Sequence, residues 1–122
     1  MDAMRRKETG SLGEKLARCF LEQKGYTILE TNFRSSYGEI DIVARNGDYL
    51  VFVEVRTKRS LSFGTPEESV TPLKREHLIA TAQDYYQRHE NLPELWRIDL
   101  VAVQFIGKTP QFELIENAVS EL

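Results

Sequence analysis

The dipeptide Asn46-Gly47 stands between two runs that alternate and are rich in β-branched residues, within the stretch from Gly38 to Lys58. Such a pair predicts a two-residue hairpin with a type I′ turn, because both turn residues accept positive φ. In that register Arg45 faces Asp48, Val43 faces Leu50, Asp41 faces Phe52 and Glu39 faces Glu54. The pleat then sets Ile40, Ile42, Ala44, Tyr49, Val51, Val53 and Val55 on one apolar face. The other face begins apolar, with Val43, Leu50 and Phe52. It ends in charge, with Glu39, Asp41, Glu54, Arg56 and Lys58. A slip of one residue would drive that charge into the core, so the register is firm. Carboxylates opposed across a strand pair repel one another. They call for a divalent metal with oxygen ligands or for neighbouring Arg and Lys side chains.

The chain of 122 residues is long enough for one domain with a sizeable core. With 41% hydrophobic and 29% charged residues it reads as an ordinary soluble globular chain. The longest apolar run, Tyr49 to Val53, is far too short to cross a bilayer, so no membrane partner is expected. The opening MDAMRRKETG carries no secretory signal, and the single Cys19 cannot form an internal disulfide; both point to a cytoplasmic location. The net charge of −3 is unevenly spread: residues 1–75 hold 13 Lys plus Arg against 11 acids, and residues 76–122 hold 3 against 8. The cations Arg5, Arg6, Lys7, Arg34, Arg56, Lys58, Arg59, Lys74 and Arg75 share the half that contains the hairpin. This is a modest footprint for an anionic partner.

Along the chain, residues 1–10 read as a flexible basic arm, followed by one domain over residues 11–122. A first helix is expected from Ser11, which forms a capping box with Glu14 and is followed by Leu12, Leu16, Cys19 and Phe20 at helical spacing. Gly25 suits the helix end. Tyr26 to Arg34 reads as a strand, and the hairpin follows. Lys58 to Ser69, with Gly64 and Pro66, reads as a loop beside the charged end of the hairpin. Thr71-Pro72 predicts a second helix start, with Leu78, Ile79, Ala82, Tyr85 and Tyr86 as its apolar stripe. Ile98 to Phe105 reads as a strand covered on both faces, and Phe112 to Ile115 as a short last strand. The order is αβββαββ. The helix between the third and fourth strands predicts a parallel crossover, hence an α/β fold with a mixed sheet flanked by helices.

Gly38-Glu39-Ile40-Asp41, then Glu54-Val55-Arg56 thirteen residues on, resembles the PD-(D/E)-x-K nuclease signature. With Gly13-Glu14, FGTPEESVTPLK, Arg97 to Val103 and Ile115-Glu116-Asn117-Ala118, the chain from about residue 10 onward resembles the YraN-like family of small endonuclease-like proteins. The resemblance implies a restriction-endonuclease-like fold, similar also to Holliday-junction resolvases. It implies Mg²⁺ or Mn²⁺ held by Asp41, Glu54 and the Val55 carbonyl, with Glu14 completing the site. It implies catalysis at Asp41, Glu54, Arg56 and Lys58, with nucleic acid, DNA rather than RNA, gripped by Arg34, Lys58, Arg59 and Lys74. Pairing of two copies into a homodimer is a further implication. Where the signature has Lys the chain has Arg56, which stays protonated and cannot act as a base.

Each residue also has a plainer reading. The capping box alone accounts for Glu14. Glu39 faces water or pairs with Arg34. Asp41 and Glu54 form an ion-pair network with Arg56 and Lys58. Lys74 lies in a first helical turn, where an anion is welcome or where it is simply solvated. Asp99 pairs with Arg97 or Arg56. His77 and His89 lack ligand spacing, Tyr85 and Tyr86 suit core packing, and Cys19 suits the helix stripe. Three functions follow: a metal-dependent phosphodiesterase, a nucleic-acid-binding module without cleavage, and a protein-interaction domain using the hairpin edge or the Phe63 loop.

Overall fold

The computed structural model describes residues 2–58 and 66–120, apart from the side chains of residues 2–9 and 67. The elements are α1 (Asp2–Gln23), β1 (Thr27–Ser35), β2 (Gly38–Asn46), β3 (Tyr49–Lys58), a 3-10 turn (Pro66–Ser69), α2 (Pro72–Arg88), β4 (Leu95–Ile106) and β5 (Thr109–Val119). This is the expected αβββαββ order. The five strands form one sheet in the order β1-β2-β3-β4-β5. All neighbours are antiparallel except β3 and β4, which run parallel because α2 carries the chain across.

Each face of the sheet buries its own core. On the α2 side Leu50, Phe52, Val43, Leu78, Ala82, Tyr85, Ile98 and Leu100 pack together. On the α1 side Ala17, Leu21, Ile42, Ala44, Val51, Val53, Val101 and Val103 do so. Strand β3 is therefore covered on both faces, which its unbroken apolar run requires. Helix α2 begins as expected: the Thr71 hydroxyl accepts from the Lys74 N–H at 3.1 Å, and Pro72 opens the helix.

Several expectations are corrected. Helix α1 starts at Asp2, not near Ser11, so residues 2–10 continue the helix and Ser11 and Glu14 do not form a cap. Its packing face is Gly13, Leu16, Ala17, Phe20 and Leu21, which keeps Leu16 and Phe20 of the predicted stripe. Leu12 and Cys19 are exposed. The small residues decide this, because Gly13 lets the helix lie against β3 so closely that a Cβ there would overlap Thr57. A short turn breaks the expected loop at Pro66–Ser69; Arg59 and the Phe63 segment lie outside the described residues. Strand β5 runs from Thr109 to Val119 and not only over 112–115, with Pro110 on an edge strand where its missing N–H costs nothing.

The hairpin register also differs. Asn46 pairs with Tyr49, Arg45 with Leu50, Val43 with Phe52 and Ile42 with Val53. The turn residues are Gly47 and Asp48, and Gly47 alone of the two has positive φ, at 59°. That is the type II′ requirement. Moving the turn by one residue moves each partner by two, so β3 keeps its faces. The acid that this register sets across from Glu54 is Asp41 in place of Glu39.

Candidate functional site

Strand β2 does not keep one face throughout. Ile42 packs on the α1 side and Ile40 on the α2 side, although their spacing predicts a shared face. The ladder with β3 ends at Ile42↔Val53. On the other flank Asn32 adopts a left-handed conformation, φ 55°, between the pairs Thr31↔Ile42 and Phe33↔Ile40. Asn tolerates that conformation better than most residues. Both neighbours thus release β2 at Asp41, and its side chain fills the gap. The Val55 N–H donates to Asp41 Oδ2 at 2.8 Å, replacing the backbone partner that the ended ladder no longer supplies.

Asp41 lies close enough to Glu14 and Glu54 for its charge to act on both. Glu14 comes from α1, brought in by the close approach at Gly13. Glu54 comes from β3 and is buried, with 4% of its surface exposed. Burial, then the charge of Asp41, pushes the Glu14 carboxyl up to about 7. Burial and Asp41 also raise Glu54, against the opposing pull of Lys74 and Arg56. Those two cations lie 3.6 Å (Lys74 Nζ) and 3.4 Å (Arg56 Nε) from Glu54 Oε2. The Arg56 contact is an ion pair without hydrogen-bond alignment, because the buried Arg56 Nε has no acceptor in line.

The result is a row of three carboxyl groups, Glu14, Asp41 and Glu54, with two cations at one end only. Net negative charge is crowded where water is scarce, and two of the acids respond by holding protons near neutral pH. Among the described residues no three His, Cys, Asp or Glu side chains close around a common point. The donor set still suits a hard cation: Mg²⁺ is commonly held by one or two carboxylates and keeps several waters.

The other expected site residues scatter. Arg34 is exposed and pairs with Glu39 at 3.4 Å, as the plainer reading had it. Lys58 lines a cleft of about 260 Å³ with Arg56, Pro66, Gln104 and Gln111. Asp99 is fully buried and pairs with Arg97, not Arg56. It accepts from Arg97 Nε at 3.0 Å, from the Tyr26 hydroxyl at 3.1 Å and from the Asn117 N–H at 2.9 Å. Every partner is accounted for, so this network is a staple joining β4, β5 and the start of β1. Tyr85 packs in the core as expected, in edge contact with Phe33 and Phe52. Sequence reasoning gave Gly13 no packing role and passed over Asn32 and the polar stripe of α1. The i, i+3, i+4, i+7 spacing of Ser11, Glu14, Lys15 and Arg18 was the available signal.

A model of the uncharacterised protein family UPF0102 matches residues 13–103. The chain is similar to a UPF0102 protein of Dehalococcoides mccartyi, 54% identical over 121 residues, which is 98% of each chain. It is also similar to a UPF0102 protein of Caldicellulosiruptor saccharolyticus, 43% identical over 94% of this chain and 99% of the relative. One from Geobacter metallireducens is 42% identical over 95% of each.

Proposed function

Starting from the fact that the chain belongs to UPF0102, we propose that it is a divalent-metal-dependent phosphodiesterase acting on nucleic acid, DNA in the first place. The observation that carries this reading is the placement of Asp41 between Glu14 and Glu54, with both glutamates raised. A cation bound among these acids would offset the charge that raises them. Asp41, Glu54 and the Val55 carbonyl would hold Mg²⁺ or Mn²⁺, and Glu14 would complete the site. The PD-(D/E)-x-K resemblance points the same way. When bound, such an ion lowers the pKa of a water and offsets charge at a phosphate.

The chain's own groups do the rest. The Val55 N–H fixes the Asp41 carboxylate through one oxygen. Arg56, always charged, can grip a phosphate with its fork and orient it. Its Nε is buried against Glu54, so the outer end of the guanidinium would make that contact. Lys74, drawn to Glu54, holds that carboxylate in place.

The test is Mn²⁺ calorimetry together with cleavage of end-labelled DNA, wild type beside Asp41→Ala. Binding by the wild type, with both signals lost in the variant, is expected. Equal Mn²⁺ affinity in the two proteins would refute the site as drawn. One observation favours a second reading, binding without cleavage: Glu54 already has two cations within ion-pair distance. That reading predicts salt-dependent DNA binding that persists in EDTA and in Glu54→Ala, with no cleavage by either protein.

A further inference from the structure

The strand-facing side of the acidic row opens into a cleft of about 330 Å³ between α1 and β1–β2. Its lining includes Ser11, Glu14, Lys15, Arg18, Asn32 and Asp41. Four of these form one stripe of α1 at i, i+3, i+4 and i+7, so they project together. The stripe has two signs. Glu14 shares the cleft with Asp41, while Lys15 and Arg18 make no ion pair with an acid among the described residues. Arg18 is partly covered where it lines the cleft, with no carboxylate partner among the described residues. Across the cleft Asn32, held in its left-handed turn, presents an exposed amide.

We infer that this cleft holds the backbone of a nucleic-acid strand, with Arg18 and Lys15 pairing with a phosphodiester next to the one that lies at Asp41, and with Ser11 and Asn32 offering hydrogen bonds to it. The inference rests on the nucleic-acid reading above and deepens it. It sets the strand on the α1 side of the sheet, whereas Lys58 and Arg56 line a cleft beside the 3-10 turn. A phosphodiester is the fitting ligand because the cleft is open, polar and continuous with Asp41. Cations placed one step from an acidic centre attract a polyanion while leaving the acids to the metal.

The test uses the full chain and a fluorescein-labelled single-stranded DNA oligonucleotide, read by anisotropy over a salt series in EDTA. Losing two phosphate contacts should weaken binding on the order of tenfold at low salt and reduce the salt slope by about 1.4. That is the expected result for Lys15→Ala/Arg18→Ala. Arg88→Ala, which breaks a pair with Asp84 on α2, should leave both quantities unchanged. Lys15→Ala/Arg18→Lys should recover about half of the lost slope. Inorganic phosphate at matched ionic strength should not displace the strand. Wild-type affinity in the double variant, or no binding by the wild type, overturns the inference. Mn²⁺ calorimetry on the same proteins separates the two proposals. Metal binding with strand binding indifferent to the pair defeats this inference alone. Strand binding that needs the pair, without Mn²⁺ affinity in the wild type, defeats the metal site alone.

Discussion

Replacing Glu14 by Gln keeps the shape of the side chain and removes one of the crowded charges. The wild-type carboxyl rises from 4.5 to about 7 on folding. Its folded value exceeds its unfolded one, so the folded state binds the proton more tightly. Stability is therefore lost as pH climbs from the unfolded value through about 7, and the full penalty acts above that. At ~1.4 kcal/mol per unit the shift is worth ~3.5 kcal/mol. Glu14 is half exposed, and solvent screening cuts this to about 1–2 kcal/mol. Metal-free Glu14→Gln should then melt on the order of 4–8 °C above the wild type near pH 8. Near pH 4.5, where the wild type carries the proton, most of that gap should close. Thermal unfolding in EDTA, followed by circular dichroism, measures both differences. Excess Mn²⁺ at the higher pH should raise the wild type and do less for the variant, whose amide is a poorer ligand. A variant that is no more stable than wild type near pH 8 would show that the acids are not crowded, and the argument for a missing cation would collapse.

Other outcomes follow from the same structure. Gly13→Ala forces a Cβ into Thr57 and should cost about 1–3 kcal/mol in urea unfolding, part of it recovered by Thr57→Ala; an unaltered midpoint would contradict the close approach. Asp99→Ala leaves the buried Arg97 guanidinium without its main partner and should cost about 3–5 kcal/mol by the same measurement, against less than 1 if the network were idle. Because Glu14 and Glu54 must give up protons to bind a cation, Mn²⁺ affinity should increase from about pH 5.5 to 8 with protons released; calorimetry in two buffers of different ionisation heat would expose a pH-independent, proton-free event. Thr71→Ala should cost about 1 kcal/mol through loss of the cap on α2.

Much of this was legible in the sequence because it depended on short-range signals. The Thr71-Pro72 start, the strand from Ile98 to Phe105 covered on both faces and the parallel crossover all rest on local pattern, and all appear. Asp41 and Glu54 come together as the charge pattern on the hairpin suggested, although through a different register. What failed was what tertiary packing decides. Ser11 with Glu14 looks like a cap, yet the helix runs through both, and the two residues line the cleft beside β1 and β2 instead. An apolar pattern draws Leu12 and Cys19 inward; Gly13 and Ala17 win because small residues allow the backbone to approach β3. The break in β2 at Asp41 depends on Asn32 in the neighbouring strand, and no reading of the 38–58 stretch alone could contain it. The partners of Asp99 come from three separated segments, so only Arg97 was within reach of a sequence argument.

Glu54 sits on a strand that lies between two cores, and Asp41 is tied to the same strand through the Val55 N–H. Motions that expose the Val55 amide would have to separate β3 from its surroundings, and those carry most of the domain's cohesion. Hydrogen exchange at Val55 should therefore proceed only through global opening, at the free energy of the whole fold. Glu14 alone arrives on a helix and can drift independently. If the row ever changes its spacing to admit or release a guest, the sliding part will be α1, with Gly13 and Thr57 as the bearing.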